Sequence, residues 1–308
     1  KAGLKPSGKR DLALLVAPEG AVCAGTFTQS LIRAACIDIC VDRLVNTSGQ
    51  ARAVLINSGQ ANACTGQRGL LDSLKATKAL ADRLGLLEDE ILICSTGVIG
   101  EPIPINSLIA RLDVLIQELS HEDGFTAANA ILTTDLVEKQ IAVEAFLDGR
   151  RVRIGGMAKG SGMIHPNMAT MLGFISCDAG LTSDIWTSMV NRVVQTSFNS
   201  ISVDGDTSTN DACIAFAAGP PLDNQHLEIL EVGLKYVANH LAKAIARDGE
   251  GANCLLEVEV RGSKDDIEAR LIARTICSSS LVKTAIHGCD PNWGRVVAAA
   301  GRAGVHFL

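Results

Sequence analysis

An α/β fold whose sheet is partly antiparallel is what the sequence predicts, and three observations predict it. Short runs rich in β-branched and apolar residues alternate with longer stretches of helical periodicity. Asp148-Gly149 separates two strand-like runs as a two-residue hairpin turn. Aromatic residues make up only 3% of a chain that is 47% hydrophobic, so Ala, Val, Ile and Leu must fill the core, which suits closely stacked helix and sheet layers.

Element by element, Asp11–Val16, Arg52–Ile56 and Ile91–Cys94 read as strands. Leu70–Leu84 carries apolar residues at helical spacing, and so does Asn106–Leu119, through Leu108, Ile109, Leu112, Leu115 and Ile116. Gln140–Leu147 and Arg151–Ile154 are the arms of the hairpin, which excludes a purely parallel doubly wound sheet. Met171–Cys177 reads as a buried strand, followed by a helix with Thr182 or Ser183 as N-cap and Ile185, Trp186, Met189, Val190 and Val193 on its apolar face. Ala212–Ala217 predicts a strand, Leu227–Ala246 a long helix, Leu255–Val260 a strand of alternating character and Lys264–Cys277 a further helix. The halves on either side of Thr170 have no Pro/Ser linker between them and are expected to share one core; no internal repeat is present.

Composition narrows the function classes. A chain of 308 residues can bury a full core, and a net charge of -6 with dispersed Lys and Arg argues against nucleic acid and for small-molecule chemistry. The ten cysteines are scattered without a secretory signal sequence and read as small buried apolar residues. Cys36 and Cys40 lack the second Cys or His pair that a tetrahedral zinc site needs, so no metal is expected. No apolar run approaches the ~18 residues that span a bilayer. A reduced, soluble, cytosolic protein without a membrane partner is the expectation.

The chemistry concentrates around Lys159-Gly160-Ser161-Gly162-Met163-Ile164-His165-Pro166-Asn167-Met168-Ala169-Thr170, where a glycine-rich run ends in Ala-Thr and an apolar segment begins. A nucleotide-binding loop is the rival reading. It lacks both the G-K-[ST] ending of a P-loop and the third glycine of a dinucleotide fingerprint, where His165 stands. Glycines allow unusual backbone geometry and Pro166 fixes φ, as an N-to-O acyl shift at Ala169-Thr170 would require. Cleavage there would make Thr170 a chain end whose own α-amine, with an ordinary pKa of about 7.7 to 8.0, can serve as its base.

Other segments gain meaning beside such a nucleophile. Ser95-Thr96-Gly97-Val98-Ile99-Gly100 reads either as a plain strand-ending turn or as an oxyanion cradle. Asn199 to Asp211 imitates a calcium loop, but Thr209 and Ala215 occupy the positions that need Gly and Glu, so a supporting polar turn fits better. Glu250, in the Asp248-Gly249-Glu250-Gly251 stretch that closes a long helix, is either solvated or held there for a cationic ligand. Asn57 to Gly66 and Cys289 to Arg295 are polar turns. His165 and His287 have no partners that would make a Ser/His/Asp triad.

Taken together, the sequence resembles the ornithine acetyltransferases, the glutamate N-acetyltransferases of arginine biosynthesis. The resemblance rests on Gly156 to Met163, Pro166 and Met168 to Leu172, with Ser95 to Gly100, Thr133-Thr134-Asp135, Val203 to Asp211, Asp248 to Ala252 and Asp290 to Arg295 in family order. It implies a layered α-β-β-α, N-terminal-nucleophile-like fold and self-cleavage at Ala169-Thr170 into an α chain (1–169) and a β chain (170–308), assembled as an α2β2 heterotetramer. It also implies transfer of acetyl from N2-acetylornithine to glutamate through acetyl-Thr170. By motif position, Thr96 and Gly97 would form the oxyanion hole, and Thr133, Lys159, Thr170 and Glu250 would line the substrate site. Lys159 can pair with a substrate carboxylate and Glu250 with an ammonium group.

The resemblance implies no resident cofactor, with acetyl-CoA as a possible further substrate. Family members begin with a short extra segment and continue beyond Leu308 into a portion that supplies further substrate contacts, so a C-terminal segment is expected to be missing here. Leu136-Val137-Glu138 departs from the usual continuation after Thr133-Thr134-Asp135. Two other readings compete: a self-cleaving aminopeptidase or amidase of related fold, in which water is the acceptor, and a non-enzymatic binding protein in which the Thr170 segment is only a loop.

Overall fold

The computed structural model describes residues 1–165 and 171–306. Its strands are β1 (Leu12–Val16), β2 (Val22–Phe27), β3 (Ala53–Gln60), β4 (Ile91–Val98), β5 (Lys139–Leu147), β6 (Arg150–Lys159), β7 (Leu172–Cys177) and β8 (Ala212–Ala217). Its helices are α1 (Ala35–Asn46), α2 (Gly66–Leu84), α3 (Ile105–Ile109), α4 (Leu112–Gln117), α5 (Gly124–Ala130), α6 (Ser183–Thr196), α7 (Leu227–Arg247), α8 (Asp266–Cys277), α9 (Ser280–His287) and α10 (Trp293–Gly301).

Two mixed sheets form. The smaller has the order β1-β3-β4, antiparallel then parallel; the larger has the order β2-β8-β7-β6-β5, with only β7 and β8 parallel. Helices α1 and α2 cover the smaller sheet and α6 and α7 the larger. One apolar cluster joins strand residues of both sheets, including Val54, Ile56, Leu92, Phe174 and Ile214, while a second lies between the larger sheet and α6 and α7, around Trp186, Met189, Leu234 and Leu241. The result is a layered α-β-β-α sandwich, as expected, but with two principal cores rather than one.

The hairpin expected at Asp148-Gly149 joins β5 and β6, with φ of 50° and 69° at its two central residues, the positive pair that a tight two-residue turn requires. Helix α6 begins where expected: the Thr182 hydroxyl accepts the Ile185 N–H at 3.5 Å. Trp186 is fully buried and donates its indole N–H to the Ala215 carbonyl of β8 at 2.8 Å, which locks this helix to the sheet.

Several expectations fail for tertiary reasons. Leu255–Val260 is not a strand: Leu256, Val258 and Val260 pack on a small third cluster of Ile272, Ile276, Val282 and Ala299, and no strand among the described residues pairs with them. Asn106–Leu119 is two short helices broken at Ala110-Arg111 rather than one. Six cysteines are buried, but Cys64, Cys254 and Cys289 are exposed and Cys277 is partly so, which corrects the reading of all ten as core residues. Among the described residues, no helix is long and apolar enough to cross a membrane.

Candidate active site

The site lies where the ends of β4 and β6 meet across the two sheets. Strand β4 continues past Cys94 to Val98, and in parallel register Ser58 faces Thr96 and Gly59 faces Gly97. Ser95 to Gly97 are therefore strand residues, not a turn after a strand. Gly97 has a φ of 133°, and a Cβ built on it would lie 2.2 Å from the Gly59 carbonyl carbon, so only glycine fits there. Polar side chains reinforce this end: Ser95 Oγ donates to Asn57 Oδ1 of β3 at 2.6 Å, and Asn210 Nδ2, from the segment before β8, donates to the Ala61 and Ser95 carbonyls at 2.6 and 2.9 Å.

Lys159, the last residue of β6, is 3% exposed and reaches across to that strand. Its Nζ donates to Thr133 Oγ1 at 2.7 Å and to Thr96 Oγ1 at 3.3 Å. Because Thr96 accepts from Lys159, its own hydroxyl hydrogen is free to point at another acceptor. Burial pushes the Lys159 pKa below the ordinary lysine range, reinforced by Lys139 and opposed by Asp135, Asp211 and Glu250.

A buried ion cluster surrounds this lysine. Lys139 Nζ donates to Asp135 Oδ1 at 2.7 Å, to Asp248 Oδ2 at 2.6 Å and to the Val137 carbonyl at 3.2 Å. Asp135 also accepts the Gly160 N–H at 2.7 Å and the Thr133 N–H at 3.0 Å. Burial pushes the Asp135 pKa up, but Lys159, Lys139 and these hydrogen bonds outweigh it and hold the carboxyl below its usual range. Asp248 accepts the Leu136 N–H at 3.1 Å, and its carbonyl accepts the Ser161 hydroxyl at 2.8 Å.

Glu250 follows the end of α7. Its N–H donates to the Ser161 carbonyl at 2.8 Å, and its carboxylate lies so close to Gly162 that a Cβ there would sit 2.6 Å from Oε1. The glycine run thus serves as a surface against which a carboxylate closes. Farther along, Asp204 Oδ2 and Oδ1 accept the Met163 and Ile164 N–H groups at 2.5 and 2.9 Å, and Ser202 Oγ lies 3.1 Å from His165 Nδ1. The segment that imitates a calcium loop therefore binds the glycine run itself.

Ala169 and Thr170 lie outside the described residues. The chain re-enters at Met171, whose N–H donates to Asp211 Oδ1 at 3.0 Å, and Leu172 is the registered partner of Lys159. Burial raises the Asp211 pKa well above the carboxylate range, against the Met171 N–H and the charge of Lys159. Of the residues expected from sequence, Thr96, Thr133 and Lys159 are in direct contact, Gly97 adjoins Thr96, and Glu250 reaches the same loop through Gly162. Lys139, Asp211 and the roles of Asp135 and Asp248 were not legible. Their signal was faint: charged residues inside stretches that are otherwise core.

Comparison with known proteins places these residues in context. The model of the ArgJ family matches residues 1–308. The arginine biosynthesis bifunctional protein ArgJ of Prochlorococcus marinus (strain MIT 9313) is 70% identical over 99% of this chain and 72% of its own length. Its counterpart from Synechocystis is 53% identical over 99% of this chain and 75% of its own. Among solved structures, the ornithine acetyltransferase of Mycobacterium tuberculosis in complex with ornithine is 38% identical, with a TM-score of 0.49, over 54% of this chain and 87% of that one. The ArgJ protein of Bacillus halodurans is 33% identical, with a TM-score of 0.48, over 55% and 86%.

Proposed function

Because the chain belongs to the ArgJ family, we propose that it transfers acetyl from N2-acetylornithine to glutamate with Thr170 as nucleophile. It is an acyltransferase of arginine biosynthesis. The observation that best supports the site is the convergence of Thr96, Thr133 and Lys159, from three separate segments, on a point beside Leu172.

The mechanism has two parts. In the precursor, Thr170 Oγ attacks the Ala169 carbonyl carbon, the Ala169–Thr170 C–N bond breaks as an ester forms, and water hydrolyses that ester to leave an Ala169 carboxylate and a free Thr170 amine. In catalysis, that neutral amine takes the hydroxyl proton while Oγ attacks the acetyl carbonyl. Thr96 Oγ1–H and the Gly97 N–H hold the oxyanion. The proton passes to the departing α-nitrogen of ornithine as its C–N bond breaks. The amine of glutamate then attacks the acetyl ester, and Thr170 Oγ leaves with a proton. Lys159 meets a substrate carboxylate and Glu250 an ammonium group.

The transferase reading fits the relatives better than an amidase does. Adding glutamate to enzyme and acetylornithine should accelerate ornithine release and produce acetylglutamate in equal amount; release indifferent to glutamate would sink the reading. Thr170→Ala should abolish cleavage, seen by denaturing mass spectrometry, together with transfer. Acetyl-CoA as a second donor belongs to the same proposal, and labelled acetyl-CoA incubated with glutamate tests it. An α2β2 assembly in the cytoplasm, read by native mass spectrometry and fractionation, completes the proposal.

A further inference from the structure

Lys139 donates to two carboxylates, Asp135 four residues before it and the distant Asp248, and each carboxylate holds a loop that carries a site residue. Asp135 bonds the backbone of Thr133 and of Gly160, the residue after Lys159; Asp248 bonds Leu136 and, through its carbonyl, Ser161, which accepts from Glu250. Lys139 and Asp135 side chains are 1% and 0% exposed, and the Asp248 side chain is 6% exposed. A buried ammonium and two buried carboxylates are costly to assemble, and well-packed apolar residues would commonly hold a fold as well or better. Their cost is understandable if the cluster sets geometry and charge for chemistry next door.

We propose, on the premise of the acetyl-transfer site above, that Lys139 is a positioning residue: its ammonium clamps Asp135 and Asp248 so that Thr133, Lys159 and Glu250 face one substrate, and it shares Asp135 so that Lys159 stays available to a substrate carboxylate. Asp135 interacts with both lysines. With Lys139 neutral, the charge of Asp135 acts on Lys159 without a competing cation beside it, so the Lys159 ammonium is more fully compensated from within the protein and attracts a substrate carboxylate less. The groups that face Lys159 are Lys5, Lys139, Asp135, Asp211 and Glu250, and of the two cations Lys139 is the one that hydrogen-bonds Asp135, the carboxylate whose charge also acts on Lys159.

The test uses Lys139→Gln, Lys139→Arg and the double variant Lys139→Gln/Asp248→Asn, the last keeping the buried charges balanced if the single neutral variant fails to fold. Lys139→Gln, or the double variant in its place, should lower kcat/KM for N2-acetylornithine about 10- to 100-fold, mostly through KM, as misplacement of a binding group does. Lys139→Arg should recover much of the loss. The titration of Lys159, followed by NMR of ε-carbon-labelled lysine and assigned with Lys159→Arg, should move to higher pH in the neutral variants and stay near the parent value in Lys139→Arg. A folded neutral variant with unchanged KM and an unchanged Lys159 titration overturns the proposal, and so does failure of both neutral variants to fold, which would make Lys139 a core residue. The NMR readout needs no turnover, so absence of glutamate-dependent transfer in the parent enzyme would count against the acetyl-transfer reading and not against the charge sharing.

Discussion

At Thr96 and Gly97 a hydroxyl and a strained glycine do different work. Thr96→Ala should lower kcat about 10²- to 10³-fold with a smaller change in KM, as loss of one oxyanion donor does; steady-state kinetics with an unchanged kcat would remove Thr96 from that role. Gly97→Ala should be worse in a different way, since its Cβ would meet the Gly59 backbone at 2.2 Å. It should destabilise the fold by more than ~1 kcal/mol in denaturant unfolding. Asp211 makes a pH prediction. Its pKa is raised in the folded protein, so the protonated form is the one the fold prefers. The stability this contributes is full below the unfolded value of about 4 and is lost as pH rises through the folded value. Asp211→Asn keeps an acceptor for the Met171 N–H and cannot ionise. Its unfolding midpoint should therefore improve relative to the parent as pH is raised from 4 to 8, and a constant difference across that range would contradict the raised pKa.

Among the elements, α6 shows what sequence alone can reveal and where it stops. Its cap at Thr182 and its face of Trp186, Met189, Val190 and Val193 were legible because they depend on spacing within one segment. What Trp186 bonds to was not, because Ala215 lies on another strand. Trp186→Phe removes this hydrogen bond and should cost about 0.5–1.5 kcal/mol in denaturant unfolding. The same division explains the misses. Strand β4 reads as stopping at Cys94 because the apolar run ends there and Gly97 is a poor strand former, although Thr96 is a good one; pairing with Asn57 to Gly59 carries Ser95 to Gly97 into the sheet. Leu255–Val260 alternates as a strand should, yet its apolar side chains pack on helices instead. In the site, the motif positions include Thr96, Thr133 and Lys159, which the structure brings into contact, whereas the Lys139 cluster depends on Asp248, 109 positions away, and only its Asp135–Lys139 pair, four residues apart, is local.

In the molecule as a whole, the order β2-β8-β7-β6-β5 places two strands that follow Thr170 between strands that precede it. The halves 1–169 and 170–308 are therefore not two domains side by side, and both principal cores draw residues from each. After cleavage the fragments should co-elute in gel filtration and separate only in denaturant; fragments that part under native conditions would contradict this arrangement. Separating them would break the β2–β8 and β6–β7 ladders at once. Making the halves from two genes would instead require a bimolecular encounter to thread β7 and β8 between strands that already belong together. A single precursor avoids that encounter, and on the proposed mechanism the missing peptide bond becomes a covalent receipt of successful folding, readable on a denaturing gel long after the event.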